Sequence, residues 1–166
     1  MYGKEEVRKL LDTKGITYEW IDHEAAYTID DMIRMGFDKN LDVAKNLFLR
    51  DGKGTNHYIV VVRSDKKVDL KAFGKAFHLT RLSFASEERL EKHLGLKKGA
   101  VTPLGILNDG EKRVKVYFDR DFTAMSRIAV HPNDNTASVY LSVKDLFDII
   151  KEHGNAMEVV EIPKGI

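Results

Sequence analysis

An α+β fold, with a mixed and mostly antiparallel sheet surrounded by helices, is what this sequence predicts, and three observations carry the prediction. Short segments that alternate or run apolar recur at 44–49, 58–63, 114–118, 128–130, 137–141 and 158–162. Segments with helical spacing and capping residues fall between them, and turn formers join neighbouring strands closely enough for hairpins. The 166 residues contain no internal repeat and no Pro/Gly/Ser linker. They are therefore read as one domain, 1–166, large enough to bury a core without metals or disulfides.

Taken in order, residues 5–11 place Val7, Leu10 and Leu11 at helical spacing ahead of Gly15, and 16–21 alternate like a strand. Thr28 is an N-cap with Asp30 and Asp31 in the first turn of a short helix that stops at Gly36. The strands 44–49 and 58–63 flank Arg50-Asp51-Gly52-Lys53-Gly54-Thr55-Asn56, a hairpin connection. A helix is expected over 69–77, and Ser86 caps another that runs through Leu90 and Leu94 to Gly95. Residues 101–107 read as extended, and Asn108-Asp109-Gly110 turns the chain into strand 114–118. Strands 128–130 and 137–141 bracket the loop 131–136. Ser142, three residues before Asp145, opens a last helix that ends at Gly154, and 158–162 completes the sheet.

Composition excludes several classes of function. There is no cysteine, which removes thiolate catalysis, zinc ribbons and disulfide frameworks. The formal charge is +1, from 27 basic and 26 acidic residues. A protein gripping a long duplex through its phosphates usually carries a clear basic excess, so near-neutrality argues against such a grip and permits a small footprint such as a single-stranded end. The longest unbroken apolar run, 59–62, is too short to span a bilayer. The first residues lack a secretory or transit pattern, so a cytoplasmic protein is expected. No H-E-x-x-H, H-x-E with paired cysteines, or G-x-S-x-G elbow occurs, so neither a metal site nor a cofactor is expected.

Three segments have the chemistry of a site. Lys45-Asn46-Leu47-Phe48-Leu49 sets an ammonium and an amide at a strand's start. There the lysine can meet a phosphate or carboxyl and the asparagine can donate to a carbonyl or accept from an amine. The same pair also reads as a solvated lysine beside a turn-capping asparagine. The Gly-bounded stretch 95–105, with Gly99, Ala100, Val101, Thr102 and Pro103, can turn backbone N–H groups toward an oxyanion, or serve only as a tight connection. His131, where a strand runs into a loop, can orient a hydroxyl or move a proton, or simply bond nearby backbone. His23 is a weaker candidate. Phe73, Phe77 and Phe84 are read as core rather than as base-stacking platforms.

Taken together and in order, these pieces resemble the YbaK/ProX family of aminoacyl-tRNA deacylases, within it the free-standing prolyl-tRNA editing proteins. The matching stretches are His23 with 26–31, then 45–51, 68–71, 82–86, 99–105, 131–136 and Asp145-Leu146. Glu24 and Lys97-Lys98 depart from the family pattern, which commonly carries proline at those places. The resemblance implies an α+β hydrolase of the ester between an amino acid and the terminal adenosine of a tRNA, most often alanine misattached to proline tRNA. It implies that Lys45 is the essential lysine, with Asn46 beside it. Residues 99–103 would be the substrate-positioning loop and His131 the pocket histidine. The implied partner is the tRNA acceptor end, with transient association with prolyl-tRNA synthetase as a further expectation. Lys66, Lys67, Lys97 and Lys98 are candidates for the acceptor stem. Deacylation of cysteinyl, seryl or threonyl tRNA, and a non-catalytic module holding a tRNA end or nucleotide, are the competing readings.

Overall fold

Local signals place most of the elements. In the computed structural model, which describes residues 1–37 and 42–165, α1 (Lys4–Thr13) buries Val7 and Leu11 on one face. Strand β1 (Tyr18–Asp22) follows. Helix α2 (Ile29–Met32) starts at Thr28, whose hydroxyl accepts from the Asp31 N–H while the Asp31 carboxylate accepts from the Thr28 N–H. One wider turn, Ile33–Phe37, carries it to Gly36, which takes φ 93°. The hairpin β2 (Ala44–Arg50) and β3 (His57–Arg63) is closed by Asp51, a buried carboxylate that accepts from the N–H groups of Thr55 and Asn56.

Asp69 caps α3 (Leu70–Ala76) and Ser86 caps α4 (Glu87–Leu94), which Gly95 ends in the left-handed region. Between them lies the two-residue β4 (Ser83–Phe84). Strand β5 (Val114–Asp119), β6 (Arg127–Val130) and β7 (Ala137–Ser142) are followed by α5 (Val143–His153) and β8 (Met157–Val160). The extended stretch expected at 101–107 is not found. Pro103–Asn108 is a 3-10 helix, not extended chain, with Thr102 as its cap and Pro103 in its first turn. Proline at that position lacks an N–H that the first turn cannot use.

The strands form two sheets rather than one. The order β1-β7-β6 is wholly antiparallel, whereas β4-β2-β3-β5-β8 mixes antiparallel pairs at β2 with parallel β3–β5 and β5–β8 pairs. Four of the six pairings are antiparallel. The sheets meet where Val43 bridges Ala129, and the Ala129 N–H donates to the Asp42 carbonyl. The main core lies on the sheet face bearing Ala44, Phe48, Ile59 and Val61, under α1, α4 and α5. A second core, with Leu49, Val60 and Phe73, fills the opposite face beneath α3. Phe73 and the partly buried Phe77 belong to it as expected. Phe84 does not: it is 63% exposed on β4, an edge strand that pairs with β2 over only two residues.

The stretch 163–165 runs beside the β3–α3 loop. Lys164 bridges Val68, the Pro163 carbonyl accepts from the Asp69 N–H, and the Gly165 N–H donates to the Lys67 carbonyl. Among the described residues no helix is long and apolar enough to cross a membrane.

Candidate active site

A cavity of about 280 Å³ opens where the two sheets join, near the lower end of the size range of small-molecule sites. Its floor comes from the start of β2 (Ala44, Lys45, Asn46), one wall from the ends of β6 and β7 (Val130, His131, Ser138), and another from Gly99 and Val101. The α2 segment covers it with Tyr27, Thr28, Ile29 and Met32. Lys45, Asn46, Gly99, Val101 and His131 are thereby brought together from sequence positions far apart. Ala100, Thr102 and Pro103 do not face this space: all three are buried, Thr102 accepting from the Leu104 N–H as a helix cap.

Each group arrives with particular commitments. Strand alternation puts Lys45 on the face of Leu47 and Leu49, so its side chain leaves toward the second core and its ammonium donates to the Lys66 carbonyl. Burial pushes this ammonium below the ordinary lysine range; Asp65 opposes that fall and Lys67 adds to it. Asn46 lies on the other face. Its side-chain oxygen is buried without a hydrogen-bond partner. Such an acceptor costs about 1–3 kcal/mol when left unmet, so it marks a place where a donor is missing.

The glycine-bounded loop is a turn closed by the Ala100 N–H donating to the Lys97 carbonyl at 3.0 Å. Gly99 stands third in it with φ 85°, the conformation that a type II turn requires there. A side chain at Gly99 would come within 2.8 Å of the Tyr27 ring, so absence of a Cβ lets the loop press against Tyr27. The Ala100 N–H is spent in the turn and cannot serve an oxyanion. Among the described residues the N–H groups of Gly99 and Val101 meet no acceptor.

His131 Nδ1 lies 2.7 Å from the Ala137 carbonyl oxygen. A carbonyl only accepts, so the neutral ring carries its proton on Nδ1 and leaves Nε2 as an acceptor. Burial holds this imidazole below its usual pKa, which keeps it neutral; the bond to Ala137 and the nearby Asp134 oppose the shift, and His23 adds to it. His23 and His131 approach to 5.9 Å between ring centres.

Of the basic residues expected at the acceptor stem, Lys66 is not available. Its ammonium pairs with the buried Asp119 and lies 3.9 Å from Asp121, with only 11% of the side chain exposed. Lys67, Lys97 and Lys98 are exposed, and Lys98 reaches Glu87 at 3.8 Å. Sequence reasoning missed Tyr27, Met32, Ala129 and Ser138 as cavity residues. For the first two a signal existed, since the Thr28 cap fixes where α2 starts; for the others it lay in strand pairing over long range.

A half-apolar pocket with one lysine, one unmet amide oxygen, free backbone donors and a neutral histidine fits an ester bearing an amine, and it belongs with hydrolases that edit aminoacyl-tRNA. The chain is a member of the aminoacyl-tRNA editing domain family, whose model matches residues 23–149. It is 46% identical to the prolyl-tRNA editing protein ProX of Acetoanaerobium sticklandii over 162 residues, covering 98% of this chain and 99% of that one. It is 31% identical to the prolyl-tRNA synthetase associated domain-containing protein 1 of Mus musculus, covering 90% of each. A crystal structure described as a candidate trans-editing enzyme for prolyl tRNA synthetase shares the fold, with a TM-score of 0.70 at 18% identity over 96% of this chain and 97% of that one.

Proposed function

We propose that this editing domain hydrolyses alanine from mischarged proline tRNA, acting in trans on the acceptor end. The observation that carries the reading is the single cavity on which Lys45, Asn46, Gly99, Val101 and His131 converge. The names of the relatives, which speak of prolyl-tRNA editing and of a prolyl-tRNA synthetase association, support both the tRNA and a transient contact with that synthetase.

An aminoacyl ester is already activated, so the site need supply orientation, a partner for the developing oxyanion and a place for water. Asn46 accepts from the α-ammonium of the amino acid, which satisfies its buried oxygen. Gly99 and Val101 N–H groups polarise the ester carbonyl. His131 Nε2 accepts from a ribose hydroxyl, and the neighbouring ribose hydroxyl helps position the attacking water. Lys45 exchanges its bond to the Lys66 carbonyl for the terminal nucleotide at the cavity mouth. The apolar cover of Ile29, Met32 and Val43 receives the alanine methyl group in this reading, and rejection of proline requires a clash between that cover and the larger ring.

Deacylation of alanyl- and prolyl-proline-tRNA, measured side by side, tests this reading. Only the alanyl ester is cleaved if it holds, and equal turnover of both, or of neither, overturns it. Lys45→Ala is expected to lower alanyl-tRNA turnover at least about a hundredfold, the scale on which a single electrostatic donor acts. Circular dichroism checks that the fold survives, and near-normal turnover removes the lysine from the site.

A further inference from the structure

Ser138 and His23 are unused by the scheme above, yet their geometry is that of an acid–base pair. Ser138 is 2% exposed to solvent and lines the cavity. Its Oγ lies 2.9 Å from His23 Nε2, and His23 Nδ1 lies 2.6 Å from the Glu24 carbonyl oxygen. Because that carbonyl can only accept, the proton of the neutral ring sits on Nδ1. Nε2 is then the acceptor, and the bond between the two side chains is donated by the serine hydroxyl. With its own proton committed to His23, the Ser138 oxygen can only accept on the cavity side.

The pair is also held in place. The His23 N–H donates to the Thr136 carbonyl at 2.9 Å and the Ala26 N–H to the Asn135 carbonyl at 3.0 Å, so the segment carrying His23 is tied along the one leading into β7. His23 itself is only half-buried and does not line the cavity, so its ring stands behind the serine rather than against the substrate.

We propose that Ser138 is a catalytic residue that takes the proton of the hydrolytic water and relays it to His23, a positioning residue acting through the serine. The inference rests on the deacylase reading and adds to it the base that the ribose hydroxyl alone does not provide. As the water oxygen bonds to the ester carbon, its proton moves to Ser138 Oγ and the serine's own proton moves to His23 Nε2. The carbonyl π pair moves onto oxygen. When that pair returns, the bond from carbon to the ribose oxygen breaks. The proton passes back from His23 through Ser138 to the leaving oxygen, giving a free amino acid and an uncharged tRNA end. Water and ester are consumed and no other reactant is needed.

Steady-state deacylation of alanyl-proline-tRNA by the whole chain tests the relay, with Ser138→Ala, His23→Ala and His23→Gln as variants. Each is expected to lower kcat about a hundredfold, as general-base catalysis commonly contributes, with KM within about threefold. Gln offers a hydrogen-bonding atom near the position of Nε2 but cannot take the proton, so a merely bracing histidine would be rescued by it and a proton acceptor would not. Added imidazole is expected to restore part of the His23→Ala rate. Thermal melting separates loss of fold from loss of chemistry. Should Ser138→Ala misfold, the His23→Gln and imidazole arms still decide. The relay is overturned by Ser138→Ala or His23→Gln variants that keep kcat within threefold, or by alanine found covalently on the protein after acid quench, which would make the serine a nucleophile. An inactive wild-type protein removes the deacylase reading and the relay together, whereas active wild type with unimpaired variants removes the relay alone.

Discussion

Met32 gives the most direct access to specificity. It is 5% exposed, lies in the α2 cover, and packs in a small cluster with Ala26, Val43, Ala129 and Tyr140. Met32→Ala removes the long thioether side chain from the cavity roof and leaves space that nearby backbone cannot fill. Proline exceeds alanine by two methylenes. Once they fit, burying them is worth about 0.8 kcal/mol each, or about 1.6 kcal/mol together, which corresponds to roughly a tenfold gain in kcat/KM. The clash that rejects proline disappears at the same time. The ratio of prolyl to alanyl turnover is therefore expected to rise at least about tenfold. Stability falls by about 2 kcal/mol, the lower end for a buried methionine because the side chain already faces a cavity, and Tm drops by about 4–8 °C. Both aminoacyl-tRNAs are assayed on one preparation, with calorimetry alongside. A folded variant whose ratio stays within threefold of wild type refutes the idea that the α2 cover sets the size limit.

Asn46 separates stability from activity. Asn46→Leu, similar in shape, deletes the unmet buried oxygen, so the variant is expected to melt at or above wild type while kcat/KM for alanyl-tRNA falls at least about tenfold. A variant that loses stability and keeps its rate contradicts the assignment of that oxygen to a substrate donor. Acid stability tests a different region. His57 is 3% exposed, its ring lies tilted 4.0 Å from that of His93, and Arg89 stands 3.1 Å from Nε2; burial first, then the His93 ring and the Arg89 cation, push its pKa down to about 4. The unfolded chain takes up this proton near pH 6.5 while the folded one stays neutral until about pH 4. The unfolded state is therefore favoured as pH falls through that window, by about 2 kcal/mol between about pH 7 and about pH 5. Urea melts at the two pH values measure it, and a His57→Leu variant with an unchanged pH dependence assigns the effect elsewhere.

Local chemistry was readable in this sequence, and long-range pairing was not. Thr28, Ser86 and Ser142 cap the helices they were expected to cap, since a cap is a contact between residues two or three apart, while Asp69, expected as the first residue of its helix, proves to be the cap. The hairpin between β2 and β3 followed from its turn formers for the same reason. The split into two sheets did not, because β3–β5 and β5–β8 are parallel pairs joined by long crossovers that leave no mark on the intervening residues. The run 101–107 misled because apolar residues alone do not distinguish a strand from a tight helix, although Thr102-Pro103 carried a cap-and-proline signal. At the site, residue types marked 99–103 and His131 as candidates, and Gly99, Val101 and His131 line one cavity while Ala100, Thr102 and Pro103 do not. Which N–H groups stay free depends on the turn at 97–100, and the direction of the Lys45 ammonium depends on strand register, so neither was visible in the residues themselves. Ser138 sits among Ala137, Val139 and Tyr140 and reads as filler until β7 is laid beside the end of β1.

The seam between residues 163–165 and 67–69 has a consequence for how the lysine is held. The carbonyl that fixes the Lys45 ammonium belongs to Lys66, one residue before the tail's first anchoring point. A shift of the tail along that groove would move the carbonyl and change how readily the ammonium is released. Residues 163–165 thus anchor beside the peptide whose carbonyl holds a cavity lysine, and fusions placed there ought to be judged by turnover as well as by folding.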